Sequence, residues 1–503
     1  MANTSADIGK RIQELREEQG LSQRELASRL KTTQSAIARI ESGDQNLSTE
    51  TLAKISNTLN KDVVNLNTGA LNIEIKGGQK LSGTVTTKTS KNGAVGLLCA
   101  SLLNRGKTTL RNVPRIEEVF RLIEVLQSID VSVRWIGNDV EIRPPKRIDL
   151  KHLNKASAIK TRSIVMFIGP LVHHLKRFKL PQPGGCKLGS RTVKPHLYAL
   201  ENFGIAISAT KDSYDVRAPK LKSAEIVMYE SGDTVTENAL MAAALIPKTT
   251  TIKFASANYQ VQELCFFLEK LGVRIEGIGT TTLVVHGIRT ADASIEYELS
   301  EDPIDSMFFL AAAIVTRSSI TITRAPIDFL DIELLKLKKM GFRYKLSKQY
   351  LSKNGRTNLV DITTHPSKLK ALEEKIESRP YPGLNIDNLP FFAVIATVAE
   401  GETLIHDWVY EKRAIHYMAL EKLGANVLLA DPHRFYVTGP SKLKATEAIC
   451  PPALRPAAIL LVGMLGAEGT SILRNIYSIN RGYEDIIKRL NAIGANIKIL
   501  REF

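Results

Sequence analysis

The sequence is poor in the features that mark secreted, disulfide-built or membrane-spanning chains. It has four cysteines in 503 residues, Cys99, Cys186, Cys265 and Cys450, and no CxxC pair. That spacing supports neither a disulfide framework nor a structural metal site. The longest apolar stretch, roughly Pro456 to Ala467, is far short of the ~20 residues that cross a bilayer. The opening MANTSADIGKRIQEL lacks the apolar core of a secretory signal, so a cytoplasmic chain without membrane contact is expected. The first 65 residues also lack net charge, with nine Lys/Arg against nine Asp/Glu. The chain's +16 therefore lies in the remainder, where it suits anionic partners.

What is present begins with short helices over residues 8–60. IGKRIQELREEQG has helical apolar spacing and stops at Gly20. SQRELASRL offers Ser22 as a cap with Glu25 three residues on, a capping-box pattern. A turn at Lys31-Thr32 leads into TQSAIARIESG, ending at Gly43, and STETLAKISNTL follows. Two short helices joined by a tight turn make a helix-turn-helix unit.

From about residue 73 the chain repeats itself. Each unit reads as an apolar helix, a strand, an amphipathic helix and two short strands. The corner from amphipathic helix to strand recurs as LQSIDVSV, LENFGIAI, LEKLGVRI, LKKMGFRY, LEKLGANV and LNAIGANI. Its turning residues are Asp130, Gly204, Gly272, Gly341, Gly424 and Gly494, where a left-handed helix cap is expected. The apolar helices (AVGLLCASLL, SIVMFIGPLV, ALMAAALI, SMFFLAAAIV, LPFFAVIATVA, PAAILLVGML) are apolar all round and should be buried. A chain of this length exceeds one ordinary core. Two α/β domains of three units each, with helices inside and sheets outside, fit the pattern.

Two resemblances follow from these motifs. The pattern SQxxLAxxxxxxxxxIxxIExG resembles the Cro/C1-type helix-turn-helix family over about 55 residues. It implies double-stranded DNA as a partner of residues 8–60, with Thr33, Gln34, Ser35 and Arg39 reading bases and Gln23 on the backbone. A helical protein-interaction or dimerisation module that kept the fold is the competing reading; the neutral charge weighs on the choice because phosphate contacts supply most of the affinity, and DNA binding is the reading expected. The remainder, through LSGTVTTKTSKNGA, LPQPGGCKLGSR, NVPRIEEV, AEGETLI and INRGYEDIIKRL, resembles the UDP-N-acetylglucosamine branch of the enolpyruvyl transferases. The resemblance implies their inside-out α/β barrel of two domains. The expected boundaries are 1–65 for the helical domain, 66–72 for a linker, 71–90 plus 299–503 for one transferase domain and 91–298 for the other.

The resemblance also implies phosphoenolpyruvate and UDP-N-acetylglucosamine as substrates, and no cofactor or metal. Cys186 matches the reactive cysteine that acts as general acid, and Asp387 the carboxylate facing the acceptor hydroxyl. Lys91 and Arg481 complete the expected catalytic set. Lys91, Asn92, Arg191, Arg413, Arg455 and Arg481 match the phosphoenolpyruvate contacts. Arg162, Arg191, Val193, Lys194, His196, Ser231, Gly232, Asp387 and Val409 match the nucleotide-sugar contacts. Arginine forks suit phosphate and carboxylate because they bind both bidentately. Asp387 taken alone is equally suited to capping the helix that follows it. Lys194, Ala453 and Asn480 stand where the family carries aspartate. Each change removes negative charge, leaving two alternatives open: an active transferase, or a DNA-binding regulator whose transferase-like part senses a ligand.

Overall fold

The computed structural model describes residues 5–30, 32–44, 51, 54, 55, 58, 59, 71–182 and 192–500, side chains of 5–8, 11 and 18 excepted. They fall into two compact units, one within residues 1–71 and one over Asn72–Leu500. In the first, helices span Ser5–Glu18, Gln23–Arg29 and Gln34–Glu41. Ser22 and Glu25 form the expected reciprocal capping box, and Thr33 caps the third helix through Ala36 N–H. Ile12, Leu15, Leu26, Ile37 and Ile40 pack into a core of their own. Beside it, Arg16 makes a two-pronged ion pair with Glu41 (2.6 and 2.9 Å), and Gln23 donates to the same carboxylate at 2.9 Å. The STETLAKISNTL cap and the 66–72 linker lie largely outside the described residues.

The large unit contains six small sheets. The first repeat shows the pattern: helix Lys91–Ala100, strand Thr108–Arg111, helix Glu117–Gln127, then strands Ser132–Ile136 and Asp139–Arg143. The sixth repeat is completed from the start of the unit. Strand Asn72–Gly77 lies antiparallel between Gly469–Arg474 and Asn496–Leu500, with Ile73 opposite both Leu473 and Ile499. Strand Ser82–Thr86 joins Ser319–Pro326 in parallel. Three sheets thus draw on residues 72–86 and 319–500, and three on residues 108–298. Helices Asp233–Ala244, Pro303–Val315 and Leu454–Gly466 are buried along nearly their whole length, with their polar residues, such as Glu237, Asp305 and Arg455, confined to their N-terminal halves.

All six corner residues have positive φ: 64° at Asp130 and 82–96° at the five glycines. That is the left-handed turn a helix needs to reverse into a strand, and a side chain there is strained. Two elements depart from the expected pattern. SIVMFIGPLV is not one helix: Arg162–Phe167 is a 3₁₀ segment and only Ile168–Leu171 is α-helical. Pro170 has no N–H for an i→i−4 bond, which shortens the α-helical run. Ala414–Leu423, the fifth amphipathic segment, is also 3₁₀. No described helix is long and apolar enough to cross a membrane.

Candidate active site

A cavity of about 1000 Å³ opens in the large unit. Its wall gathers residues that the sequence spreads from 91 to 481: Lys91, Asn92, Arg162, His196, Ser231, Gly232, Asp387, Val409, Arg413, Arg455 and Arg481. Helix ends and the loops beside them supply most of these groups. Lys91 is the first residue of its helix, with Ser90 as cap, and Ser231-Gly232 lead into the helix starting at Asp233. Arg455 sits in the first turn of helix Leu454–Gly466.

Asp387 is the electrostatic centre. Arg455 Nη2 donates to its Oδ2 at 3.1 Å, and Arg413 Nη1 lies 3.8 Å from its Oδ1. Burial alone would raise the Asp387 pKa, but Arg455, Arg413 and Lys91 outweigh it and hold the carboxyl at about 2. Asp387 does not cap the next helix: Asn388 occupies that position, without a side-chain bond. Arg413, 1% exposed, is fixed from behind by Asp407, which accepts from its Nε and Nη2 at 2.6 and 2.8 Å. Tyr417 donates to the same carboxylate at 2.6 Å, and Arg413 also donates to the Ile386 carbonyl. One edge of its guanidinium is thus committed to structure and Nη1 faces Asp387. Tyr483 accepts from Arg455 Nη1 at 2.9 Å.

A second carboxylate ties the other cations. Glu118, from the NVPRIEEV motif, lies 3.6 Å from Lys91 Nζ and 3.5 Å from Arg481 Nη2. Thr161 and Ser163 hydroxyls donate to its other oxygen. Burial opposes its charge, yet Lys91 and Arg481 keep its pKa below the usual range. Asn92 donates to Tyr259 Oη at 2.9 Å. Arg162 donates to the Thr192 carbonyl. Buried His196 accepts from Asn238 Nδ2 at its Nδ1, which places the proton on Nε2, and burial with nearby Arg162 holds its pKa at about 3.

The wall also holds carboxyls of the opposite character. Glu333 is 1% exposed, and its Oε1 accepts from Asn388 and from the Asn385 N–H. Burial pushes it up to about 7. Asp233 accepts from Ser256 and Asn258 and is likewise raised by burial. Two cavity acids are therefore driven in opposite directions, an arrangement that separates acid from base roles.

Glu118, Asp407 and Glu333 were not singled out in the sequence. Only Glu118 carried a signal, its place in a recognised motif. Asp407 and Glu333 act through contacts made by folding. Val193 and Lys194 are not on the cavity wall: Lys194 begins helix Lys194–Glu201 and is exposed. Cys186 and Arg191 lie outside the described residues. The other three cysteines are buried, and burial raises their thiols, Cys450 to about 12. They are structural, not reactive. In the first unit, Thr33, Gln34, Ser35 and Arg39 are exposed, whereas Gln23 is half-buried against Glu41. Among the described residues no cluster of His, Cys, Asp or Glu could hold a metal.

The large unit, with its six small sheets and a cavity lined by Lys91, Arg162, Arg413, Arg455 and Arg481, matches the enolpyruvyl transferases in sequence and fold. Residues 75–490 match the EPSP synthase (3-phosphoshikimate 1-carboxyvinyltransferase) family, and residues 12–66 match a helix-turn-helix family. The enolpyruvyl transferase NikO from Streptomyces tendae superposes with a TM-score of 0.75 at 25% identity, over 86% of this chain and 99% of its own. An EPSP synthase from Acinetobacter baumannii shares the fold at 17% identity and a TM-score of 0.66. The UDP-N-acetylglucosamine 1-carboxyvinyltransferase of Bradyrhizobium diazoefficiens is 34% identical over 434 residues, 85% of this chain and 98% of that protein. That of Treponema denticola is 32% identical over 427 residues, 84% of this chain and 98% of its own. The chain belongs to the UDP-N-acetylglucosamine 1-carboxyvinyltransferase family, with a helix-turn-helix unit ahead of the transferase.

Proposed function

We propose that the chain transfers the enolpyruvyl group of phosphoenolpyruvate to the 3′-hydroxyl of UDP-N-acetylglucosamine, releasing phosphate, as the cytoplasmic entry step to peptidoglycan synthesis. The observation that carries this reading is Asp387, held ionised between Arg413 and Arg455 in a cavity that also presents Lys91 and Arg481. Lys91, Asn92, Arg191, Arg413, Arg455 and Arg481 bind the phosphate and carboxylate of phosphoenolpyruvate. Arg162, His196, Ser231, Gly232 and Val409 serve the nucleotide sugar from the wall, and Val193 and Lys194 serve it from the start of the helix that carries His196.

In the addition step, the 3′-oxygen bonds to C2 of phosphoenolpyruvate, Asp387 takes the hydroxyl proton and Cys186 protonates the methylene carbon. In the elimination step, C3 returns a proton, the C2–O bond to phosphate breaks and the enol ether forms. A carboxyl held at about 2 is a weak base. Substrate anions drawing Arg413 and Arg455 toward themselves loosen that hold and raise its basicity as the site fills. Residues 71–90 plus 299–503 and residues 91–298 form the two domains of the transferase.

We assign residues 8–60 to double-stranded DNA, with Thr33, Gln34, Ser35 and Arg39 at base edges. Their exposure on the third helix supports this. A gel shift against genomic fragments tests it: Gln34→Ala with Arg39→Ala should abolish retardation, and unchanged retardation removes the assignment. For the transferase, Asp387→Asn should lower kcat by roughly a hundredfold or more, the range for a lost general base. Unaltered phosphate release in that variant removes Asp387 from its role.

A further inference from the structure

A second hollow, of about 330 Å³, opens on the large unit and shares no wall residue with the catalytic cavity. It forms where the C-terminal ends of three buried segments meet. Arg105 follows Ser101–Leu103, His173 to Lys176 follow Ile168–Leu171, and Leu245 follows Asp233–Ala244. Its charged wall is of one sign: Arg105, Lys176 and Arg289, with His173, His174 and the Thr290 hydroxyl, and no Asp or Glu. Residues 91–298 as a whole carry 29 Lys/Arg against 20 Asp/Glu, so over half of the chain's +16 resides there.

Cations at helix C-termini commonly do no more than offset carbonyl dipoles, and the histidines fit that role. His173 Nε2–H donates to the Met241 carbonyl at 3.1 Å and His174 Nε2–H to the Leu102 carbonyl at 2.7 Å. Burial lowers the pKa of both rings, His173 to about 4, so they are neutral near pH 7. Arg105, Lys176 and Arg289 are a different matter. All three are exposed, and no ion pair or side-chain hydrogen bond engages any of them among the described residues. A helix end contributes at most roughly half a negative charge. Ser101–Leu103 ends the run that starts at Lys91, and Ile168–Leu171 the run that starts at Arg162, so three such ends face the hollow. Three full positive charges exceed that sum, and the hollow stays net positive.

We infer that this hollow is a binding site for a small phosphorylated molecule, separate from the substrate cavity. Two arginine forks and an ammonium suit a phosphate group, with Thr290 as a further hydrogen-bond donor. The volume holds a phosphomonoester or diphosphate but not a macromolecular surface.

Inorganic pyrophosphate titrated into the full-length protein tests this, read by calorimetry and by the ring-nitrogen signals of His173 and His174. The catalytic cavity also attracts phosphate, so two double variants separate the sites. Arg105→Ala with Arg289→Ala should weaken the histidine-coupled binding at least tenfold and leave transferase turnover unchanged. Arg455→Ala with Arg481→Ala should leave that binding within twofold. Both arginines of the first pair are exposed, and an unchanged melting curve in phosphate-free buffer confirms that fold. Should that pair disturb it, Arg105→Gln with Arg289→Gln replaces it, with the same tenfold loss expected. Unaltered histidine-coupled binding in the first pair, or its loss in the second, overturns the site.

Discussion

Asp387 and Glu333 share a cavity wall and the same functional group, yet their surroundings set them at opposite ends of the titration scale. The cations around Asp387 depress its pKa from 3.8 to about 2, so its charge stabilises the fold above pH 3.8 and that contribution fades as pH falls through 2. Its size is on the order of 2 kcal/mol. Glu333 is the reverse case, raised from 4.5 to about 7. The stability tied to its proton is complete below pH 4.5 and is lost as pH rises through 7. Urea unfolding across pH checks both signs. Glu333→Gln should gain on the order of 3 kcal/mol over the parent at pH 8 and nothing at pH 4. Asp387→Asn should be the less stable protein at pH 7 and its equal near pH 2. At the same scale, Glu118 acts by positioning Lys91 and Arg481. Glu118→Gln should lower kcat while the KM for phosphoenolpyruvate stays level or falls, because a competing anion has been removed. Glu118→Asp should restore part of the rate. A rise in KM with kcat intact would make Glu118 a binding group instead.

The elements explain what the sequence made legible. A helix ending in Leu-x-x-x-Gly, or Leu-x-x-x-Asp at the first corner, fixes its turn within five residues, so all six corners were readable without tertiary information. Asp130, at a φ of 64°, is the one corner where L-side-chain strain is tolerated. Gly272→Ala, at a φ of 95°, should destabilise the transferase by about 1 kcal/mol or more, whereas Asp130→Gly should be neutral or stabilising in thermal melts. The capping box at Ser22 and Glu25 was local and therefore legible too, and Ser22→Ala should cost the first unit about 1 kcal/mol. Two segments read as helices proved to be partly or wholly 3₁₀, since apolar periodicity reports burial and not the hydrogen-bond ring. The Arg413–Asp407–Tyr417 cluster was legible only at Arg413, through the family resemblance. Its partners are assembled by a strand end and a 3₁₀ turn that no local pattern couples.

At the scale of the molecule, the chain joins two units with separate cores. The relatives from Bradyrhizobium diazoefficiens and Treponema denticola are each matched across 98% of their length by 85% and 84% of this chain, and the transferase family match runs over residues 75–490, outside the first unit. A protein truncated to residues 71–503 should keep transferase turnover and lose DNA retardation, as measured on the same preparation. Eleven of the residues that the family pattern picks out line the cavity, and most of them sit at helix ends or the loops beside them. Val193 and Lys194 are not among the wall residues. The reaction itself is checked by phosphate release from phosphoenolpyruvate, measured with and without UDP-N-acetylglucosamine. The proposed reaction requires acceptor-dependent release, one phosphate per enolpyruvyl sugar formed, falling by roughly a hundredfold or more in Cys186→Ala. Release that is absent, or indifferent to the nucleotide sugar, would contradict it.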